Sequence, residues 1–219
     1  QAEQIAAALA DDKGQLIKAV CCVHNETSTG VTSDIAAVRR AMDDTGHPAL
    51  LMVDTISSLA SIDYRHSEWG VDVTIGGSQK GLMLPPGLSF NAVSEKALAA
   101  HEAGGMTRSY WDWSAMLGAN KGGAFPYTPA TNLLYGLDEA ISMLGEEGLQ
   151  NVFQRHARLA EATRRAVAAW GLETVAQVES EKSNSLTAVL LPEGHDADAF
   201  RSVVLQHFNM SLGNGLGRL

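Results

Sequence analysis

Short apolar runs alternate with helix-forming stretches along the first half of this sequence. Mostly apolar runs cover residues 16–23, 50–53, 72–75 and 88–93. Runs of this length between turn-forming residues are typical of strands that are buried on both faces, as in parallel sheets. Strands that alternate with helices predict an α/β fold with a largely parallel sheet, in which ligands bind at the carboxyl ends of the strands.

Helices are predicted from apolar periodicity and from capping residues. Ser33 and Asp34 can cap one amphipathic helix, and Gly46 and Pro48 can end it. Residues 104–123 are rich in glycine and tryptophan and are expected to form a loop. In the long helix after residue 148, arginines such as Arg155 and Arg164 are expected to form a solvated face. Helices are also predicted at residues 4–10, 95–103, 131–144, 149–170 and 196–207, and a last strand at residues 185–191.

The composition is that of an ordinary globular protein with an excess of acidic residues. The chain has 219 residues, of which 45% are hydrophobic and 19% are charged, and its formal net charge is −9. This length allows one large domain or two small ones. The negative charge disfavours a nucleic-acid partner, and no apolar run has the length of a bilayer span. We therefore expect no nucleic-acid and no membrane partner.

The cysteines and histidines do not predict a disulfide or a metal site. Cys21 and Cys22 are adjacent in the first apolar run, where neighbouring side chains point to opposite faces, so they are expected to be buried and unbonded. This pattern fits a reducing compartment, and we expect the cytoplasm, or the peroxisome in a eukaryote. The seven histidines lack the spacing of metal ligands, so we expect them at the surface or at helix caps and predict no metal.

One lysine lies in a loop of small residues between two strand-like runs. Lys80 lies between Gly77 and Gly81, and Asp54 ends an earlier strand-like run. A lysine amine and an aspartate, each at the end of a strand, are what a pyridoxal phosphate enzyme needs. A solvent-facing lysine in a turn and a helix-capping aspartate explain the same spacing, so spacing alone leaves both interpretations open.

Four short motifs occur in order around these two residues. They are HNETSTGV at residues 24–31, VDTISS at 53–58, GSQK at 77–80 and PYTP at 126–129. Together they resemble the class V aminotransferases of fold type I, and among these the serine–glyoxylate and alanine–glyoxylate aminotransferases. The resemblance covers essentially the whole chain, and FPYTP at residues 125–129 is most similar to the serine–glyoxylate branch.

The resemblance implies pyridoxal 5′-phosphate as the cofactor and two catalytic residues. Lys80 would hold the cofactor as a Schiff base, and its freed amine would move the substrate's Cα proton. Asp54 would keep the pyridine nitrogen of the cofactor protonated, so that the ring accepts electrons. Ile56 matches the apolar position that packs against one face of the ring.

Further cofactor contacts are implied at three polar residues. Thr27 matches a hydroxyl near the ring oxygen of the cofactor, and Gln79 matches a position near its phosphate. Thr128 matches a residue that reaches the phosphate of the neighbouring subunit's cofactor, which implies a homodimer whose sites are completed across the interface. Phe125 stands where some relatives have a tyrosine, so that phosphate contact is either absent or supplied by Tyr127.

The implied reaction is transamination of glyoxylate with serine or alanine as the amino donor, so the substrates are small amino acids and 2-oxo acids. A cysteine desulfurase of the same fold is one alternative, although those enzymes have a histidine where Gln79 stands and a cysteine on a mobile loop. The other alternative is an inactive scaffold fragment that no longer holds the cofactor.

The same resemblance predicts how the chain is divided. Residues 1–147 would belong to the large cofactor-binding domain, and residues 148–219 would begin a smaller C-terminal α+β domain. The phosphate-binding loop would precede Gln1, and the arginine for the substrate carboxylate would follow Leu219. Arg218 does not have the sequence context of that arginine and is not assigned to it. We therefore expect the chain to be a fragment of a longer polypeptide.

Overall fold

The computed structural model describes residues 2–216, so Arg218 lies outside the described residues. Helices and strands alternate along most of this range. In chain order the elements are α1 (Ala2–Asp11), β1 (Ala19–Val23), β2 (Asn25–Glu26), β3 (Val31–Thr32), α2 (Ile35–Thr45), β4 (Leu50–Asp54), β5 (Val73–Gly77), β6 (Ser89–Val93), α3 (Glu95–Ala103), α4 (Trp113–Asn120), α5 (Thr131–Glu147), α6 (Leu149–Ala169), β7 (Glu173–Thr174), a 3₁₀ helix (Glu179–Glu181), β8 (Val189–Leu190) and α7 (Ala197–Phe208).

A four-stranded sheet in the order β1-β4-β5-β6 positions the candidate site. The strands β1, β4 and β5 pair in parallel, with Val23 and Ile75 on either side of Asp54. The strand β6 runs antiparallel to β5. The α/β fold with a mostly parallel sheet is thereby confirmed, and the carboxyl ends of β1, β4 and β5 meet at one edge of this sheet.

The main core lies between the sheet and helices α1 and α2. Leu51 and Val53 of β4 have no exposed surface, and neither have Ile35 and Met42 of α2. All four belong to one apolar cluster. The side chain of Asp34 caps α2 by accepting a hydrogen bond from the backbone N–H of Ala37 at 2.8 Å, and Gly46 ends the helix in the left-handed conformation. Of the residues predicted to cap or end α2, Asp34 and Gly46 are therefore confirmed.

A second, smaller apolar cluster joins the loop after β5 to helices α5 and α6. Leu82 of that loop packs with Leu144 of α5 and Val152 of α6. Phe90 of β6 lies against the same cluster. This contact crosses the predicted domain boundary after residue 147, and the boundary itself stays a prediction.

Two expectations about local structure are wrong. Residues 104–123 contain α4, because the Asp112 side chain accepts hydrogen bonds from the backbone N–H groups of Ser114 at 2.9 Å and Ala115 at 3.4 Å. The strand expected at residues 185–191 shortens to β8, whose pairing with β7 involves two residues.

Two expectations about burial are also wrong. Cys21 is exposed, because it lies on the opposite face of β1 from Cys22, which packs against the main core. Arg164 is not part of a solvated face, since its side chain is 14% exposed and donates a hydrogen bond to the Ser183 carbonyl oxygen at 3.0 Å. Among residues 2–216, no helix combines the length and the apolar character of a membrane span.

Candidate functional site

Three neighbouring strand ends carry the polar residues that the sequence singles out. Thr27 lies in the turn that joins β2 to β3 just after β1, Asp54 ends β4, and Gln79 and Lys80 follow β5. Because β1, β4 and β5 are adjacent and parallel, all four residues leave the sheet at the same edge. The structure therefore groups Thr27, Asp54, Gln79 and Lys80 at the place where α/β sheets bind ligands.

Asp54 is half-buried at the end of β4. Its Oδ1 atom accepts a hydrogen bond from the backbone N–H of Ile56 at 2.8 Å, which fixes the turn after β4. Its backbone carbonyl oxygen accepts a hydrogen bond from the backbone N–H of His24 at 2.9 Å. Oδ2 makes no hydrogen bond within residues 2–216. The carboxylate thus stabilises a turn and still offers one oxygen to a ligand.

Lys80 lies in a loop that the buried residue Ser78 closes. The Ser78 hydroxyl donates to the Pro85 carbonyl oxygen at 2.8 Å and accepts from the backbone N–H of Leu88 at 3.2 Å. The Ser78 carbonyl oxygen accepts from the backbone N–H of Leu84 at 3.1 Å. Lys80 itself is exposed, and its amine has no partner in the described part of the chain. The loop is therefore anchored at its base and presents a free amine.

Two glycines let the Lys80 loop pack directly on the turn that follows Asp54. A Cβ atom on Gly76 would be 2.7 Å from Cδ2 of Leu59, and one on Gly81 would be 2.1 Å from the Leu59 carbonyl oxygen. Real Cβ atoms do not come this close to backbone oxygens. The absence of side chains at these two positions thus allows the lysine loop and the aspartate turn to lie against each other.

The turn that carries Thr27 is fixed by the side chain of Glu26. Its Oε1 atom accepts hydrogen bonds from the backbone N–H of Ser28 at 2.8 Å and from the Ser28 hydroxyl at 2.7 Å. These two bonds, the backbone one first, lower the pKa of the Glu26 carboxyl. Thr27 is exposed, and its hydroxyl has no partner among the residues that the structure describes. The turn is thus rigid, while the hydroxyl stays free.

Two histidines that were expected at the surface or at helix caps are instead buried. His24 is 3% exposed and lies 2.9 Å from the Ser58 hydroxyl through Nδ1. Its ring packs against Tyr64 and Trp69, with centroid distances of 5.2 and 5.8 Å. Burial lowers the pKa of His24 to about 4, so the ring is neutral at neutral pH. His47 is buried as well, with Nε2 3.3 Å from Oδ2 of Asp12.

The remaining candidates are Ile56, in the turn after Asp54, and residues of the segment before α5. Thr128 is exposed in the segment before α5 and makes no hydrogen bond with the other candidates in the described ranges. Phe125 is 45% exposed, and the Tyr127 hydroxyl lies 3.0 Å from the Ser109 hydroxyl. Ile56 is half-buried in the turn after Asp54. Within residues 2–216, no hydrogen bond thus joins Thr128 to Lys80.

The free groups at the sheet edge fit the pyridoxal phosphate that the resemblance implies. They are an unpaired amine at Lys80, an unpaired carboxylate oxygen at Asp54 and an unpaired hydroxyl at Thr27. An amine can react with an aldehyde, a carboxylate oxygen can accept a hydrogen bond from a protonated ring nitrogen, and a hydroxyl can donate one to a ring oxygen. For residues 2–216, no cluster of three or more His, Cys, Asp or Glu side chains could hold a metal ion.

Sequence reasoning missed Asn25 and Ser57, although both lie within the recognised motifs. Asn25 is 1% exposed, and its amide nitrogen donates to the Ser57 hydroxyl at 3.0 Å. Two small polar residues beside predicted strand ends were an indication of buried hydrogen bonding. Their partners, however, lie far away in the chain, and a local pattern cannot identify them.

Comparisons with known proteins agree with this geometry. A family described as "Aminotransferase class-V" matches residues 3–215. The chain is 52% identical to a serine–glyoxylate aminotransferase of Methylorubrum extorquens, over 99% of this chain and 55% of that protein. It is 47% identical to an L-aspartate–glyoxylate aminotransferase of Paracoccus denitrificans, over 96% of this chain and 53% of that protein.

A solved structure has the same fold. The alanine–glyoxylate aminotransferase of Nostoc sp. superimposes with a TM-score of 0.86 at 30% sequence identity, over 98% of this chain and 56% of that one. The chain therefore spans only a little more than half the length of the proteins that it matches.

Proposed function

The chain belongs to the class V aminotransferase family, and we propose that the protein carrying it transfers an amino group from serine or alanine to glyoxylate. It has the fold type I architecture of these enzymes. In the proposed reaction the amino donor leaves as a 2-oxo acid, and glyoxylate leaves as glycine. The cofactor would be pyridoxal 5′-phosphate, held at Lys80.

One observation carries this proposal. The unpaired amine of Lys80 and the unpaired Oδ2 of Asp54 lie at the ends of two adjacent parallel strands. Gly81 keeps their two turns in direct contact. A surface lysine and a helix-capping aspartate would not need this close packing, whereas a site that holds one small ring from two sides would.

Lys80 and Asp54 would divide the catalytic work. When bound, pyridoxal phosphate supplies an electron sink for the negative charge that develops at the Cα atom of the amino donor. Nζ of Lys80 would hold the cofactor covalently and move the proton that leaves Cα. Oδ2 of Asp54 would hold a proton on the pyridine nitrogen through a charge-assisted hydrogen bond.

The other candidates would bind and orient the cofactor. The free hydroxyl of Thr27 would contact the ring oxygen, Ile56 would pack against one ring face, and Gln79 would lie near the phosphate. Thr128 is exposed, and no hydrogen bond joins it to Lys80 within residues 2–216, which supports a role at the phosphate of the neighbouring subunit. We therefore propose a homodimer with shared sites.

The domain division and the amino donor remain part of the proposal. Residues 1–147 would form part of the large domain, and residues 148–219 would begin the small domain. The relatives named above are a serine–glyoxylate, an L-aspartate–glyoxylate and an alanine–glyoxylate aminotransferase, so a comparison of these amino donors decides among them. A reducing compartment is proposed on the free thiols alone.

Chemical trapping in the whole protein tests the covalent role of Lys80. Borohydride reduction after incubation with pyridoxal phosphate should fix the cofactor on one lysine, and peptide mapping should identify Lys80. Lys80→Ala should abolish trapping, whereas Lys13→Ala, at an exposed lysine after α1, should trap as the unsubstituted protein does. Trapping at another lysine, or at none, would refute the assignment.

Product analysis then distinguishes the alternatives. Glycine formation from glyoxylate, measured in parallel with serine, alanine and aspartate, should be fastest with serine or alanine. Sulfide release from cysteine without glycine formation would indicate a desulfurase instead. Failure to retain pyridoxal phosphate in equilibrium dialysis would indicate a scaffold without the cofactor.

A further inference from the structure

Asn25 makes hydrogen bonds with all three polar positions of its buried carboxamide. Nδ2 donates to the hydroxyls of Ser57 and Ser185, each at 3.0 Å, and Oδ1 accepts from the Thr32 hydroxyl at 3.1 Å. Both amide hydrogens and the amide oxygen are thus used, which fixes the orientation of the side chain. A fully satisfied buried polar group of this kind selects one arrangement of its neighbours.

These bonds join the two turns that present Thr27 and Asp54. The Ser57 hydroxyl donates to the Asn25 carbonyl oxygen at 2.5 Å, so the link between the turns is reciprocal. Asn25 is two residues before Thr27, and Ser57 is three residues after Asp54. The separation of the two candidate cofactor ligands is therefore set by the contact between Asn25 and Ser57.

The third partner, Ser185, comes from a segment in the last quarter of the chain. Its hydroxyl accepts from Asn25 and donates to the Ser57 carbonyl oxygen at 3.0 Å, so it contacts both turns. The same segment is held by the backbone N–H of Ser183, which donates to the Gly30 carbonyl oxygen at 2.9 Å. The Leu186 side chain also lies over Gly30, where an added Cβ would be 3.3 Å from Cδ1 of Leu186.

We propose that Asn25 is a positioning residue for the cofactor site, and that through Ser185 it couples the C-terminal segment 183–186 to that site. This inference rests on the proposed function. Asn25 does not touch the cofactor in this proposal. It holds the Thr27 hydroxyl and the Asp54 carboxylate at the separation that one ring requires. Release of the C-terminal segment would remove Ser185, which accepts one of the two Asn25 amide hydrogens, and would loosen both turns.

Cofactor binding and hydrogen exchange in the whole protein test this inference together. Asn25→Ala should raise the dissociation constant for pyridoxal phosphate by about tenfold, and Ser185→Ala by about threefold. In the cofactor-free protein, Ser185→Ala should speed amide exchange at Ile56 and Gly30, although residue 185 is distant in the sequence. The double variant should bind no more weakly than Asn25→Ala alone, since both substitutions break one network.

A matched serine variant and a stability measurement separate positioning from a purely structural role. Ser202 is exposed on α7, and its hydroxyl donates to the Asp198 carbonyl oxygen at 2.9 Å. Ser202→Ala should therefore change neither the dissociation constant for pyridoxal phosphate nor the rate of amide exchange. If Asn25→Ala lowers the urea midpoint but leaves the dissociation constant unchanged, the positioning role is refuted. If the losses of pyridoxal phosphate binding free energy in Asn25→Ala and Ser185→Ala add fully in the double variant, the coupling through Ser185 is refuted.

Failure of the proposed function would look different. The unsubstituted protein would then bind no pyridoxal phosphate, and borohydride would trap nothing at Lys80, which would overturn both proposals. Normal binding and trapping together with an unaffected Asn25→Ala protein would overturn the positioning role alone.

Discussion

Gly81 approaches Leu59 so closely that a methyl group on Gly81 would lie 2.1 Å from the Leu59 carbonyl oxygen. Leu59 follows the turn that Asp54 begins, and Gly81 follows Lys80 directly. The backbone contact between these two residues therefore sets how near the lysine loop comes to the aspartate turn. A side chain at position 81 must move one of the two segments.

Gly81→Ala should destabilise the protein and weaken cofactor binding together. The added methyl group meets backbone atoms, which cannot rotate away, and overpacking of this kind costs about 1–3 kcal/mol. Urea unfolding and pyridoxal phosphate titration of the whole protein measure the two effects. Gly145→Ala is the matched control, because Gly145 lies in α5 with no atom within 4 Å of the added Cβ. The control should be neutral or slightly stabilising, since alanine favours helices.

Asp72 should be among the most sensitive polar residues in this part of the protein. It is 5% exposed, and it accepts hydrogen bonds from the backbone N–H of Leu51 at 2.9 Å and from the Ser94 hydroxyl at 2.8 Å. It also lies 3.6 Å from the Lys96 amine. One carboxylate thus joins β4, the start of β5 and the cap of α3.

Asp72→Asn should lower the free energy of unfolding by about 2 kcal/mol, because an amide has one acceptor oxygen where the carboxylate has two, and a buried donor loses its partner. Asp198→Asn is the control, since Asp198 is 84% exposed and pairs with Arg201 on the surface of α7. The control should change stability by about 0.5 kcal/mol or less. Equal urea midpoints for the two variants would contradict this assignment of Asp72.

The burial of His24 makes stability depend on pH. Burial lowers the pKa of His24 from 6.5 to about 4, and the nearby Asp63 acts in the opposite direction with a smaller effect. Between these two values the unfolded chain binds more protons at this residue than the folded protein does. The contribution of His24 to the free energy of unfolding is therefore fully present above pH 6.5 and is lost as the pH falls toward 4.

At about 1.4 kcal/mol per unit of pKa, the loss from His24 amounts to roughly 3 kcal/mol. Burial lowers the pKa of His66 too, which adds to the loss in the same direction. His24→Asn removes the titrating ring and should flatten the dependence of the urea midpoint on pH between 4 and 6.5. His195→Asn, at an exposed histidine, should keep the dependence of the unsubstituted protein. An unchanged slope in His24→Asn would show that other groups cause it.

Local sequence patterns predicted the elements whose causes are local. The helix α2 was predicted with both caps, because Asp34 and Gly46 act on backbone groups within a few residues. The helix α4 was missed, because the Asp112 cap is not followed by an apolar stripe, and α4 has no buried residue. A helix that packs little has no periodicity to detect.

Features that depend on contacts between distant residues could not be predicted in this way. The burial of His24 depends on Tyr64 and Trp69, which close over it from another segment. The hydrogen bond between Asn25 and Ser185 joins residues that are 160 positions apart. The edge of the sheet where Asp54 and Lys80 lie could be predicted, since parallel strands place their carboxyl ends together. The packing that fixes the distance between the two turns could not.

Asp54→Asn separates the turn-forming role of this carboxylate from the role that we propose for it at the cofactor. Asparagine retains an oxygen that can accept the hydrogen bond from the backbone N–H of Ile56, so the turn and the urea midpoint should be nearly unchanged. The amide has no charge to hold a proton on a pyridine nitrogen, so the rate of glycine formation should fall by about 100-fold or more. Asp54→Ala removes both roles and should also destabilise the protein by about 1 kcal/mol.

Asp34→Asn provides the matched control for this prediction. Asp34 caps α2 with a similar hydrogen bond to a backbone N–H, at 2.8 Å, but its side chain is 67% exposed and is not one of the proposed site residues. Its substitution should leave both stability and activity close to those of the unsubstituted protein. If Asp54→Asn behaves like Asp34→Asn in both measurements, then Asp54 is a turn-forming residue only. In that case the proposed function loses one of the two residues on which it depends.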